Sequence, residues 1–160
     1  MPKKILIPLD GSKLGETALH YVEDLIITLS AEDKMEITLI QVLPPLIPHF
    51  PVNDGELPEI HLTEGDIEPM KEEALAYLDQ AGKTLRDKGV IVKCKVLVGH
   101  ASFSSAEEII KVEDDMNADL VAMSTHGRRG LSRWIFGSNT EKVLRAGNVP
   151  VLVVRAGKLT

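Results

Sequence analysis

Cysteine is almost missing from this chain. Cys94 is the only one in 160 residues, which excludes an internal disulfide and a thiolate zinc cluster. Long apolar runs are missing too, and none approaches the ~20 residues of a membrane span. The apolar stretch near the N-terminus, Ile5 to Leu9, is too short for the core of a secretory signal, so a cytoplasmic location is expected. Basic residues are outnumbered, 18 Lys and Arg against 24 Asp and Glu. The resulting charge of -6 gives a field of the wrong sign for bulk nucleic acid or an anionic membrane, so neither is expected as a partner. No internal repeat is present. What remains, 44% apolar and 26% charged residues, is ordinary globular composition and excludes wholesale disorder, a collagen-like repeat and a coiled coil. One domain over 1–160 is the simplest count, and a chain of this size buries roughly 70% of its unfolded surface.

Five short runs rich in Val, Ile and Leu punctuate the sequence: Ile5–Leu9, Ile37–Leu43, Ile91–Val98, Leu120–Met123 and Val151–Val154. None alternates cleanly with polar residues, the pattern of strands buried on both faces of a parallel sheet. Helical spacing appears between them. Ala18, Val22, Leu25, Ile26 and Leu29 form one stripe; Met70, Ala74, Leu78, Ala81 and Leu85 form a second, with Pro69 placed in a first turn and Gly89 beyond the end. A third helix opens at Ser104 or Ser105, and a fourth begins with the capping box Ser138-Asn139-Thr140-Glu141 and closes at Gly147 and Pro150. Alternating strands and helices predict an α/β fold, an open five-stranded parallel sheet with helices on both faces. Residues 44–65 interrupt the alternation with Pro44, Pro45, Pro48, Pro51 and Pro58, and read as a proline-rich surface insertion.

In an open α/β sheet the ligand site lies beyond the carboxyl ends of the strands. With strand order 3-2-1-4-5, Asp10-Gly11-Ser12 and the stretch from Ser124 to Thr140 face one crevice. Gly127, Gly130 and Gly137 let a ligand approach backbone N–H groups. Ser138 starts a helix whose N-terminus offers unpaired N–H groups and partial positive charge. Arg128, Arg129 and Arg133 add positive charge to an acidic chain. Together these residues point to a phosphate-bearing ligand, most simply a nucleotide. The stretch is not a Walker-type loop, because no Lys precedes Ser138, and it does not follow the first strand as a dinucleotide fingerprint would. His126 is a candidate base or phosphate contact, with bonding to nearby backbone the simpler role. His49 and His61 match no compact metal spacing, and Cys94 reads as inert core.

From Lys4-Ile5-Leu6-Ile7-Pro8-Leu9-Asp10-Gly11-Ser12 to Val149-Pro150-Val151-Leu152-Val153-Val154 the chain resembles the universal stress protein family. The nucleotide-binding branch carries a glycine, two residues, a second glycine, nine residues, then glycine with serine or threonine. Here Ser124 takes the first position and Gly127 the second; Arg128 to Phe136 fill the nine, and Gly137-Ser138 follow. Serine is small, so the site is expected to survive the replacement. The resemblance implies an adenine nucleotide alpha hydrolase-like fold. It implies adenine held near Pro8, Asp10, Val42 and Met123, ribose near Asp10, Gly99 and Gly127, and phosphates at Arg128, Gly130, Gly137, Ser138, Asn139 and Thr140. It also implies a homodimer formed partly through Val151–Val154.

The function expected is therefore an ATP-binding, homodimeric regulatory or stress-response protein. ADP or AMP could replace ATP, and Mg²⁺ or Mn²⁺ could ride on the phosphates. A slow ATPase and a nucleotide-free dimeric scaffold stay open as alternatives. No catalytic set is evident, and hydrolysis would need a positioned water, a base and usually a metal near the phosphates.

Overall fold

The central strands line up in parallel with apolar side chains on both sides of the sheet. A computed structural model describes residues 3–28, 34–45, 64–100, 104–125 and 138–156. Along them run β1 (Lys3–Pro8), α1 (Thr17–Thr28), β2 (Met35–Leu43), α2 (Glu64–Ala81) and α3 (Lys83–Asp87). Then follow β3 (Ile91–Val98), α4 (Ser105–Met116), β4 (Leu120–Thr125), α5 (Ser138–Ala146) and β5 (Val151–Arg155). The sheet order is β3-β2-β1-β4-β5, with every neighbouring pair parallel.

Successive residues of a strand point to opposite faces, and the two cores follow that rule. Ile5 and Ile7 of β1 join Ile37 and Leu39 of β2 in a cluster covered by Ala18, Leu19, Val22 and Ile26 of α1, Leu78 of α2 and Leu85 of α3. Leu6, Ile40, Val121 and Met123 face the other way, against Ala106, Ile109 and Val112 of α4 and Val143 of α5. Helices therefore cover both faces, as the alternation of the sequence predicts.

The edge strand β3 departs from the expectation of burial on both faces. Its exposure alternates, with Lys93 and Lys95 in solvent and Val92, Cys94 and Val96 packed inward. At an edge, one face is enough to hold the strand, and outward lysines discourage pairing with another chain. The Cys94 thiol is partly buried and accepts a hydrogen bond from Arg86 Nη2 at 3.3 Å. Arg86 also bonds the Asp79 carbonyl at 2.8 Å and its carboxylate at 2.9 Å.

Helix boundaries differ from the sequence reading in three places. The second stripe is divided at Gly82 into α2 and α3, and a Cβ at Gly82 would meet Val92 Cγ1 at 2.8 Å, so glycine is needed where the chain presses on β3. Pro69 stands inside α2 rather than in its first turn. It forfeits only the bond to the Gly65 carbonyl, an exposed one that water can satisfy. The insertion also ends sooner than residue 65, since Glu64 already belongs to α2; Pro48, Pro51 and Pro58 lie outside the described residues. Ser138 is the first residue of α5 instead of its cap. Among the described residues a capping box is found at α4, where Ser104 N donates to Glu107 Oε2 at 2.7 Å.

Glu113 of α4, fully buried, fixes the approach to β5. Its Oε1 accepts from Asn148 N at 2.6 Å and Val149 N at 3.1 Å. That link sets α5 and its N-terminus relative to the sheet.

Candidate functional site

The turn after β1 is built around Asp10. Its Oδ1 accepts from Ser12 N at 2.9 Å and from Ser12 Oγ at 2.6 Å, and Ser12 Oγ accepts from Gly15 N at 3.0 Å. Gly11 holds φ +85°, a conformation that suits glycine. Gly15 is equally constrained, because a Cβ there would run into the Asp10 carboxylate. Neither Asp10 nor Ser12 caps α1, which starts at Thr17. The cap comes from another strand. Ser124 Oγ, at the end of β4, accepts from Ala18 N at 2.8 Å and donates to the Gly15 carbonyl at 2.8 Å.

A cavity of about 550 Å³ opens beyond the carboxyl ends of β1, β2 and β4. Its wall combines two kinds of residue. Pro8, Val42, Leu43, Met70, Ile109 and Met123 make an apolar portion. Ser105, at the start of α4, and Ser138, Asn139 and Thr140, at the start of α5, bring hydroxyls, an amide and the N-terminal ends of two helices. Asp10 is the one charged side chain among the described residues on the wall. At the rim, Lys142 of α5 bonds Ser104 Oγ and Glu107 Oε1, both at 3.0 Å, and ties the two helix starts together. The bond from Lys142 and the Ser104 N–H hold the Glu107 carboxyl below its ordinary range.

The residues singled out from sequence fall into three groups. Pro8, Asp10, Val42, Met123, Ser124, Ser138, Asn139 and Thr140 all line this one cavity. Gly99 stands apart from the wall: its N–H donates to the Leu43 carbonyl at 2.8 Å, and a Cβ there would lie 3.0 Å from that oxygen. Gly127, Arg128, Gly130 and Gly137 lie outside the described residues, with His126. The wall also holds residues that the sequence reading passed over, notably Gly15, Gln41, Met70 and Ser105. Gln41 carries a visible signal, a lone amide in the apolar run Ile40 to Leu43. Met70 carries none, since it belongs to the apolar stripe of α2.

Fold and cavity define an open parallel α/β protein of Rossmann-like architecture, with its crevice at the strand ends where the order reverses. A narrower assignment follows from comparison with known proteins. The model of the universal stress protein family matches residues 1–155, and the chain belongs to that family. It is 32% identical over 163 residues to universal stress protein MJ0577 of Methanocaldococcus jannaschii, covering 97% of this chain and 96% of that one. The solved structure of MJ0577 superposes with a TM-score of 0.70 at 29% identity, covering 100% of this chain and 99% of that one. Two more distant structures share the fold. A family protein of Arabidopsis thaliana with AMP bound gives a TM-score of 0.63 at 14% identity, over 98% and 94% of the two chains. The protein of Archaeoglobus fulgidus in complex with dAMP gives 0.58 at 18%, over 96% of each.

Proposed function

We propose that this chain is a nucleotide-binding member of its family, a homodimeric regulatory protein of the stress response that holds ATP, ADP or AMP at the carboxyl ends of its strands. The carrying observation is the make-up of the cavity wall, apolar side chains together with the N-terminal residues of two helices. A nucleotide has the same make-up, a flat base joined through ribose to phosphates. Adenine lies among Pro8, Val42 and Met123, with Asp10 toward the ribose. Ser138, Asn139 and Thr140 receive the phosphates, with Arg128, Gly130 and Gly137 from the preceding stretch, and Gly127 completes the ribose side. The AMP and dAMP held by distant members of the family support the choice of base.

A Mg²⁺ or Mn²⁺ ion would enter with the phosphates. Hydrolysis is at most slow on this reading, because Asp10 sits at the nucleoside end, away from the bond to be broken. The dimer forms through β5, whose Val151, Leu152, Val153 and Val154 all stay partly exposed while pairing with β4 on one side only.

Calorimetric titration of nucleotide-stripped protein with MgATP and with AMP tests the assignment. One nucleotide per chain is expected, with binding abolished in Gly127→Val and Gly137→Val. No saturable binding of either nucleotide, or unchanged binding in both folded variants, overturns it. Sedimentation of Val153→Lys tests the dimer, which is expected to dissociate.

A further inference from the structure

Lys142 follows Ser138 and Asn139 by one turn of α5, and helical side chains lean back toward the start of their helix. Its ammonium crosses to α4, where it bonds Ser104 Oγ and Glu107 Oε1, both at 3.0 Å. The neighbours of this bridge line the main cavity: Ser105 next to Ser104, and Ser138 and Asn139 on α5. The ammonium thus stands at the rim of the cavity, between the N-terminal ends of two helices. Those ends carry partial positive charge, so a cation is out of place there without an anion beside it. The Glu107 carboxylate is such an anion, but it has a second task. Its Oε2 accepts from Ser104 N at 2.7 Å and closes the start of α4. Stability does not account for the pair either. The Lys142 and Glu107 side chains are 45% and 38% exposed, and ion pairs so open to water add little to a fold. The position suits an anion that arrives from the cavity.

We propose that Lys142 is a specificity-determining residue for phosphate number: it reads the phosphates beyond the first, and Glu107 holds it at the rim until they arrive. The inference rests on the nucleotide reading above and adds to it how the site counts phosphates. A monophosphate ends at Ser138, Asn139 and Thr140. Further phosphates extend past that helix start and bring negative charge to the ammonium at the rim. A phosphate oxygen is a stronger acceptor for an ammonium than the neutral Ser104 hydroxyl, so Lys142 exchanges one for the other. The Ser104 N–H stays on Glu107 Oε2 throughout, and the start of α4 survives the exchange. The Glu107 carboxylate competes for the ammonium and repels the incoming phosphates, so it holds down the affinity for ATP more than that for AMP.

The experiment measures AMP and ATP affinities by calorimetry, without divalent cations, for the native chain, Lys142→Met and Glu107→Gln. Glutamine keeps the capping box and gives up the charge. Lys142→Met is expected to lower the ratio of ATP to AMP affinity about tenfold, as for one charge-assisted hydrogen bond. Glu107→Gln is expected to raise the same ratio about threefold, the scale of a partly exposed charge pair. Lys142→Arg is expected to keep most of the native ratio. Added salt should reduce the native ratio more than that of Lys142→Met. A ratio unchanged in Lys142→Met overturns the inference. So does a fall in Glu107→Gln that matches the fall in Lys142→Met, because the pair is then a structural tie and nothing more. A native ratio indifferent to salt overturns it without any variant, so the outcome does not depend on how the variants fold. Each of these results leaves nucleotide binding standing, whereas failure of the native chain to bind both AMP and ATP removes the two readings together.

Discussion

Ser124 on β4 bonds the Gly15 carbonyl across 109 positions of sequence, and the same hydroxyl accepts the Ala18 N–H at the start of α1. A strand thus supplies the cap that α1 lacks in its own sequence. Replacing a helix cap by alanine costs about 1 kcal/mol, and for a chain of this length that lowers Tm by about 2–4 °C. Ser124→Ala should show this loss in a thermal melt. Ser124→Gly should lose more, since it also adds backbone freedom to the unfolded chain. Melting curves that coincide with the native protein would mean that water satisfies Ala18 N equally well.

Gly15 makes a separate prediction about the same turn. A Cβ here has no room beside the Asp10 carboxylate and lies 3.2 Å from Ser12 Oγ. Gly15→Ala must move Asp10, a cavity-lining residue, away from its present place. Stability should fall by about 1–3 kcal/mol, the cost of overpacking. Nucleotide affinity should fall further than in Ser124→Ala, which leaves the space around Asp10 open. Equal affinities for the two variants would show that Asp10 does not help to hold the ligand.

The parallel sheet was legible because the central strands are apolar on both faces, as in Ile5-Leu6-Ile7 and Ile37 to Ile40, where no half-exposed strand could be meant. The same habit of reading overstated the burial of β3, whose position in the chain and in the sheet was as expected. Its Val92-Lys93-Cys94-Lys95-Val96 alternation is on the page, but the apolar ends of the run hid it. Of the eight residues picked for the site that line one cavity, Asp10, Ser124, Ser138 and Thr140 carry short, local signals at strand ends and a helix start, whereas Pro8, Val42 and Met123 came from the family resemblance. The roles of Ser124 and Gly15 were not legible, since each depends on a partner distant in sequence or a space that only the packed turn defines. Gln41 lay in between: a polar residue in a buried strand announces that something needs it, without saying what.

The Glu113 carboxylate gives a third prediction. It holds Asn148 N and Val149 N, and a Cβ at Gly147 would sit 2.9 Å from its Oε2 and 2.7 Å from the Val143 carbonyl. Glu113→Ala leaves two N–H groups without this acceptor, and should cost about 2 kcal/mol in urea unfolding, as stranded donors do. Glu113→Gln keeps an acceptor and should cost less. Gly147→Ala should destabilise by a similar amount through the clash. If Glu113→Ala were neutral, the turn into β5 would be held by packing alone.

Cys94 closes the set with a prediction about reactivity. Burial pushes its thiol above the ordinary range, and the Arg86 guanidinium 3.3 Å from the sulfur only partly offsets this. The thiolate is the reactive form, so the folded protein should be alkylated by iodoacetamide at pH 8 more slowly than the urea-unfolded chain. The same shift has a consequence for stability. As pH rises through the ordinary thiol range, the unfolded chain loses its thiol proton first, which favours unfolding. The stability of the native chain should therefore decline with pH in that window more than that of Cys94→Ala. Alkylation faster in the folded state would mean that Arg86 outweighs burial, and the decline should then reverse.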